Sequence, residues 1–223
     1  MQKISFKEYS ESMQINPASE LFVGNCEDLQ YLKFSNLLVN PDKMLNYLDK
    51  FPALDKDDFL VNDKIISYAP GYQQLIPNNC LQDLTQFFNN FLFQIVGKKF
   101  RIEWYTNIFW PEMQVTETSR YPHIDTFDMA INIWLTENHD QDGTAFYKTE
   151  TDYHTKPVVY DFEADTKDKW KPFDGNSTYK KYAVVPSTYN SAVIYNGKYY
   201  HSPYYVSMAN KMRKSLVGGV FVD

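Results

Sequence analysis

The apolar pattern of this chain changes period at Gly97, and that change constrains its fold more than any other feature. Before it, Leu81, Leu84, Phe88, Phe91 and Ile95 recur at intervals of three and four residues, which places them on one face of a helix. Asn78 or Asn79 offers an N-cap, and Gly97 stands where a helix commonly ends in the left-handed region, with Lys98 and Lys99 near the negative end of the dipole. After it, Ile102, Trp104, Thr106, Ile108 and Trp110 recur at every second residue, the period of a strand with one buried face. Further strands are expected at His123–Phe127, Met129–Leu135, Thr144–Tyr147, Lys181–Val185, Ala192–Tyr195, Lys198–His201 and Ser215–Val222. Many short strands with little helix predict a mostly β fold, an antiparallel sandwich or jelly roll. Aromatic residues make up 17% of the chain, a share that suits strands.

The first 99 residues read as a mixed, partly helical region placed on the outer face of a jelly-roll core at 100–223, with the 223 residues forming one domain. Short apolar groups at Leu21–Val23 and Tyr31–Phe34 predict outer strands. Asn40-Pro41-Asp42 reads as a helix start, with Met44, Leu45 and Leu48 as its buried stripe and Pro52 as its stop. The charge run Asp55-Lys56-Asp57-Asp58 predicts a solvated loop over 53–63. The polar stretch 148–180 reads as an inserted loop or lid, since loops of that length in a compact domain often serve function.

A formal charge of −6 and only scattered lysine pairs argue against a nucleic-acid partner, which wants a basic stripe. The N-terminus shows no apolar signal region, and no apolar run is long enough to span a membrane, so a cytoplasmic protein is expected. Cys26 and Cys80 are expected to be reduced thiols rather than a disulfide framework. The chain contains no phosphate-binding glycine loop, nucleophile elbow or His-Glu-X-X-His helix.

The chemistry-bearing pattern begins at His123-Ile-Asp125. On a strand, residues two apart point to the same side, so an imidazole and a carboxylate are presented together. His201 is placed to add a third ligand from another strand. Two histidines and one carboxylate on one side of a metal leave the other positions open, the signature of non-haem Fe(II) oxygenases. His-X-Asp alone is a weak signal, because a histidine beside a hydrogen-bonded aspartate is a common structural pairing. Weight comes from Arg213-Lys-Ser215, twelve residues past His201 and just before the last apolar strand. The chain has only three arginines, at 101, 120 and 213. At strand spacing Arg213 and Ser215 share a face, and a guanidinium fork with a hydroxyl suits a buried carboxylate. His139 and His154 lie in polar stretches and read as loop residues.

The order His-X-Asp, distant His, then Arg-X-Ser resembles the Fe(II)/2-oxoglutarate-dependent dioxygenase superfamily. It is most similar to the small prolyl-4-hydroxylase-like branch, which also occurs in bacterial and phage proteins. Gly143-Thr-Ala-Phe-Tyr147 and the run from Val185-Pro186 through Asn190-Ser-Ala-Val-Ile-Tyr-Asn to His201 resemble the flanks of the ligands in that branch, so the likeness covers about residues 100–223. The resemblance implies a double-stranded β-helix, Fe(II) held by His123, Asp125 and His201, and 2-oxoglutarate as cosubstrate with O2. Arg213 and Ser215 would bind the distal carboxylate, with Lys211 as alternative anchor, because prolyl hydroxylases usually use a lysine. Tyr105, Tyr121 and Trp134 are candidate cosubstrate contacts, as donors at the end of apolar rings. The implied reaction decarboxylates 2-oxoglutarate to succinate and oxidises an unactivated C–H bond. A peptidyl side chain such as proline is the first expectation for substrate, with Tyr199, Tyr200, Tyr204 and Tyr205 as groove candidates. The alternatives are a small amino acid or metabolite as substrate, or a jelly roll that binds metal without turnover.

Overall fold

A computed structural model of the chain describes residues 11, 13–53, 60–61, 64–65, 72–109, 122–137, 140–149, 172–206 and 212–223. The main sheet contains β1 (Glu20–Cys26), β2 (Leu29–Ser35), β5 (Tyr72–Ile76), β6 (Phe100–Phe109), β7 (Met129–Trp134), β10 (Ser191–Asn196) and β12 (Arg213–Val222). Its seven strands run in the order β1-β2-β10-β7-β12-β6-β5, paired antiparallel throughout. A second sheet of three strands faces it, with β8 (Gly143–Thr149) between β11 (Tyr200–Tyr204) and β9 (Tyr179–Pro186). The two-residue strands β3 (Leu60–Val61) and β4 (Lys64–Ile65) pair with each other. This is the jelly roll that the period change predicts, with three main-sheet strands contributed from before residue 100.

Alternation along the main sheet sorts its side chains into two layers. Ile102, Trp104, Ile131, Ile133, Ala192, Ile194, Leu216 and Val220 point outward into the larger core. There they meet α1 (Pro41–Leu48) through Met44, Tyr47 and Leu48, and α2 (Gln82–Val96) through Leu84, Phe88 and Leu92. Both helices therefore cover the outer face, as expected. Ala130, Trp134, Val193 and Tyr195 point the other way, into a second cluster with Phe146 and Val185 from the facing sheet. That inter-sheet space is the barrel interior.

Several local expectations shift. α2 is capped at Leu81, because Asn78–Cys80 form a 3-10 turn and not the N-cap. Leu92 takes the last buried place on its stripe, while Ile95, in the final turn, is 55% exposed. Gly97 does adopt the left-handed region, at φ 74°. No continuous strand forms over 123–127; His123 makes one isolated bridge. Residues 198–199 belong to the turn before β11, and Lys148, Thr149, Tyr179 and Lys180 are strand residues, so the insertion is shorter than 148–180. The strand β5 was not legible, and Asp55–Asp58, Trp110, His139, His154, Tyr121 and Lys211 lie outside the described residues. Cys26 and Cys80 are free thiols. Among the described residues no helix is long and apolar enough to cross a membrane.

Candidate metal centre

His123, Asp125 and His201 come together at one end of the barrel, with one ligand atom from each lying within 4.8 Å of the others. Backbone pairing brings them there. His123 and His201 each donate an N–H to the other's carbonyl oxygen at 2.9 Å, and the Asp125 N–H donates to Gly197 O at 2.8 Å. Gly197 sits in the turn between β10 and β11. A Cβ at that position would stand 2.6 Å from Phe127 O and 3.2 Å from Asp125 Cβ, so glycine is what lets the turn approach the carboxylate this closely.

The ring orientation of His201 is fixed from behind. Its Nδ1 lies 2.9 Å from the Tyr199 carbonyl oxygen, which can only accept, so Nδ1 carries a proton and Nε2 is the nitrogen turned toward the cluster. That Nε2 is 3.2 Å from Asp125 Oδ2, and His123 Nε2 is 3.7 Å from Asp125 Oδ1. Burial pushes the Asp125 carboxyl up, but His201, His123 and Lys198 outweigh it and hold it below the ordinary range. Burial also pulls the His201 imidazolium down, and Asp125 reverses that and raises it. Each shift says that positive charge at the centre of this cluster is favoured. A divalent cation supplies that charge and takes two nitrogens and one oxygen as ligands, so the donor set fits Fe(II).

The interior wall beside the triad is formed by the inward positions of β6, β7, β10 and β12. Arg213 and Ser215 share that face as the spacing predicts, and Lys214 points outward, where its Nζ meets Asp49 Oδ1 at 2.6 Å. Trp134 pairs directly with Ser215 across the strands and is buried among the inter-sheet residues. Tyr105 pairs with Val217 and lies close enough to Asp125 that burial first and that carboxylate second raise its phenol. Arg213 is buried, 2.5 Å from Asp142 Oδ2 through Nη2, with its guanidinium carbon 5.3 Å from the centre of the Tyr205 ring.

Sequence reasoning missed part of this wall. Asn132 donates through Nδ2 to Tyr195 Oη at 3.0 Å, and the Tyr195 ring centre is 5.0 Å from that of His201. The available signal was Asn132 itself, a polar residue at an inward position of an otherwise apolar strand. Gln73 Nε2 donates to Asn107 Oδ1 at 3.1 Å on the same face. The tyrosines around His201 divide. Tyr200 and Tyr204 belong to a cluster with Tyr147 and Phe173 on the outside of the smaller sheet, and Tyr205 is buried beneath Arg213, so these three do not line a groove.

Two antiparallel sheets enclosing a two-histidine, one-carboxylate cluster define a double-stranded β-helix protein. The chain belongs to the family of unknown function DUF6445, whose pattern matches residues 30–215. It matches none of the curated proteins. Among solved structures it is similar to HygX from Streptomyces hygroscopicus with nickel, 2-oxoglutarate and hygromycin B bound, with a TM-score of 0.54 and 9% identity over 86% of this chain and 82% of that one. It is also similar to EvdO2 from Micromonospora carbonacea var. aurantiaca complexed with 2-oxoglutarate, with a TM-score of 0.52 and 11% identity over 100% of this chain and 92% of that one. The superfamily resemblance therefore holds at the level of the fold, and neither neighbour singles out the prolyl-4-hydroxylase-like branch.

Proposed function

We propose that the protein is an Fe(II)/2-oxoglutarate-dependent oxygenase that inserts oxygen into, or otherwise oxidises, an unactivated C–H bond. The observation that carries this reading is the convergence of His123, Asp125 and His201 inside this fold, with Arg213 and Ser215 on the same interior wall. His123 Nε2, His201 Nε2 and Asp125 would hold the iron. Bound Fe(II) would supply open coordination positions for the 2-oxo acid and for O2, so that decarboxylation to succinate drives the oxidation. Tyr199 keeps His201 in the ligating tautomer. Arg213 and Ser215 receive the distal end of the cosubstrate, and Tyr105, Trp134, Asn132 and Tyr195 wall off its middle and exclude water. The His123 side chain is 27% exposed, against 12% for Asp125 and 6% for His201, so substrate approaches from the His123 side.

The substrate is read as an organic molecule or a peptidyl side chain. The sequence resemblance favours the peptide, while HygX, with hygromycin B in its structure, favours a small polar molecule. Anaerobic visible spectroscopy tests the class: Fe(II) with 2-oxoglutarate should give a metal-to-ligand charge-transfer band. Arg213→Ala should weaken it, and His201→Ala should abolish it together with stoichiometric iron. Absence of the band in iron-loaded protein would leave a jelly roll that binds metal without turnover.

A further inference from the structure

The turn between β10 and β11 touches two of the three candidate ligands. It is a tight turn, with the Tyr199 N–H donating to Asn196 O at 3.1 Å and Asn196 Oδ1 accepting the Lys198 N–H at 2.8 Å. On one side Tyr199 O receives His201 Nδ1, and the Tyr199 hydroxyl donates to Asp28 O at 3.1 Å, which fastens the turn to the main sheet. On the other side Gly197 accepts the Asp125 N–H and donates its own N–H to Asp128 O at 2.9 Å. Among the described residues no backbone N–H donates to the carbonyl oxygens of Asp125 and Thr126. The Lys198 ammonium takes that place, 3.1 Å from Asp125 O and 3.2 Å from Thr126 O.

Lys198 is exposed, so water competes for its ammonium and its removal costs folding little. What its bonds hold is the backbone that carries a ligand. Fixing the peptides of Asp125 and Thr126 fixes the direction in which the Asp125 side chain leaves the chain, as outer partners of metal ligands commonly do. A positive charge in the same place acts in the other sense. Lys198 is one of the cations that hold the Asp125 carboxyl below its ordinary range, and a cation beside a ligand repels an arriving metal ion. Position and charge therefore pull metal affinity in opposite directions, and removing the ammonium reveals which prevails.

We infer that Lys198 is a positioning residue of the metal centre, gripping the backbone of Asp125 so that one turn sets the separation of Asp125 from His201. This rests on the oxygenase reading above. The test titrates Co(II) into metal-free wild-type, Lys198→Met and Lys198→Arg proteins, following affinity and the visible d–d bands that report the ligand set. Lys198→Met keeps the apolar stem and removes the donors. Its Co(II) dissociation constant should rise by about tenfold or more and its bands should shift, while the thermal midpoint of the metal-free protein stays at the wild-type value. Lys198→Arg carries donors that can reach the same carbonyls and should restore both affinity and bands. An unchanged or tighter constant in Lys198→Met would overturn the inference, since tighter binding is what loss of a repelling charge alone produces. An equal loss in Lys198→Arg would overturn it too, as would a metal-free Lys198→Met protein that melts below the wild type, because the lysine would then serve the scaffold and not the ligand. No Co(II) binding by the wild-type protein would sink the oxygenase reading itself, an outcome distinct from the others.

Discussion

The two faces of the seven-stranded sheet are made from the same strands, yet they obey different rules. Outward positions are apolar, and the polar exceptions are satisfied by fixed partners. The Thr106 hydroxyl donates to Gln74 Oε1 at 3.0 Å, and Gln74 Nε2 donates to the Phe51 carbonyl at 2.6 Å. Inward positions alternate Ala130, Val193 and Val217 with Asn132, Asn107, Ser215 and Arg213. Polar side chains in a barrel interior cost desolvation and add little net stability. The outer face is therefore where folding energy is gathered, and the inner face is where part of it is given up to the polar groups of the candidate site. β7 shows the division within six residues: Ile131 and Ile133 pack under the helices, while Asn132 and Trp134 face the site.

The strongest way to break that comparison is to damage the outer face and ask whether the inner one notices. Phe88 is completely buried, 6.1 Å between ring centres from Phe34 and 6.0 Å from Trp104. Phe88→Ala removes the whole ring from a core that relaxes only in part around the cavity and should cost about 3–5 kcal/mol in a denaturant titration. The fraction that remains folded should bind metal and 2-oxoglutarate with wild-type affinity. A parallel loss of affinity would show that the two faces are coupled and the division too simple.

The inverse experiment is on Asn132. Asn132→Leu keeps approximate volume but leaves the buried Tyr195 hydroxyl without its partner, so it should destabilise the protein by about 1–3 kcal/mol. Cosubstrate affinity in the metal-loaded protein should fall by about tenfold or more, because Tyr195 loses its partner beside the His201 ring. Unchanged affinity would remove Asn132 and Tyr195 from the cosubstrate wall.

This asymmetry also explains what could be read from the sequence. The outer face is written as periodicity, so Ile102, Trp104, Thr106 and Ile108, and Leu84 with Phe88 on the helix that covers them, were identifiable from spacing alone. The candidate metal cluster was legible because histidine and arginine are scarce in this chain and stand in a fixed order with Asp125 and Ser215. Asp142 and Gln73 carry no such signal. One is an aspartate in a run of polar residues, and the other lies in a strand that has no clear alternation. Their roles arise from which turns and edges the fold brings together, a long-range property that local patterns do not encode. The strand expected at His123–Phe127 failed for the same reason, since three backbone hydrogen bonds to the β10–β11 region hold that segment in place of a full ladder.

The smallest expected effect is at Lys214, the one place among the outward positions of β12 where a charge replaces an apolar side chain. Its side chain is fully buried and paired with Asp49, whose own side chain is 53% exposed. Burial lowers the ammonium below its ordinary range, and Asp49 offsets this only in part. An amine lowered in the folded state binds fewer protons there than in the unfolded chain, whose lysine titrates near about 10.4. Between those two values stability rises with pH, and below the folded value the buried charge is a fixed cost. Above about pH 10 the trend reverses, because burial raises the phenols of Tyr147 and Tyr205 while their unfolded counterparts ionise. Lys214→Met fills the same space without the charge and leaves Asp49 in contact with water. It should be neutral to stabilising by about 1 kcal/mol at neutral pH, as replacement of buried ion pairs by apolar side chains often is. The variant should also show a flatter rise in stability than the wild-type protein on the alkaline side, below the value of about 10.4 at which an unfolded lysine titrates. A loss of several kcal/mol would mean that the Lys214–Asp49 pair fastens α1 to the sheet in a way that packing alone does not.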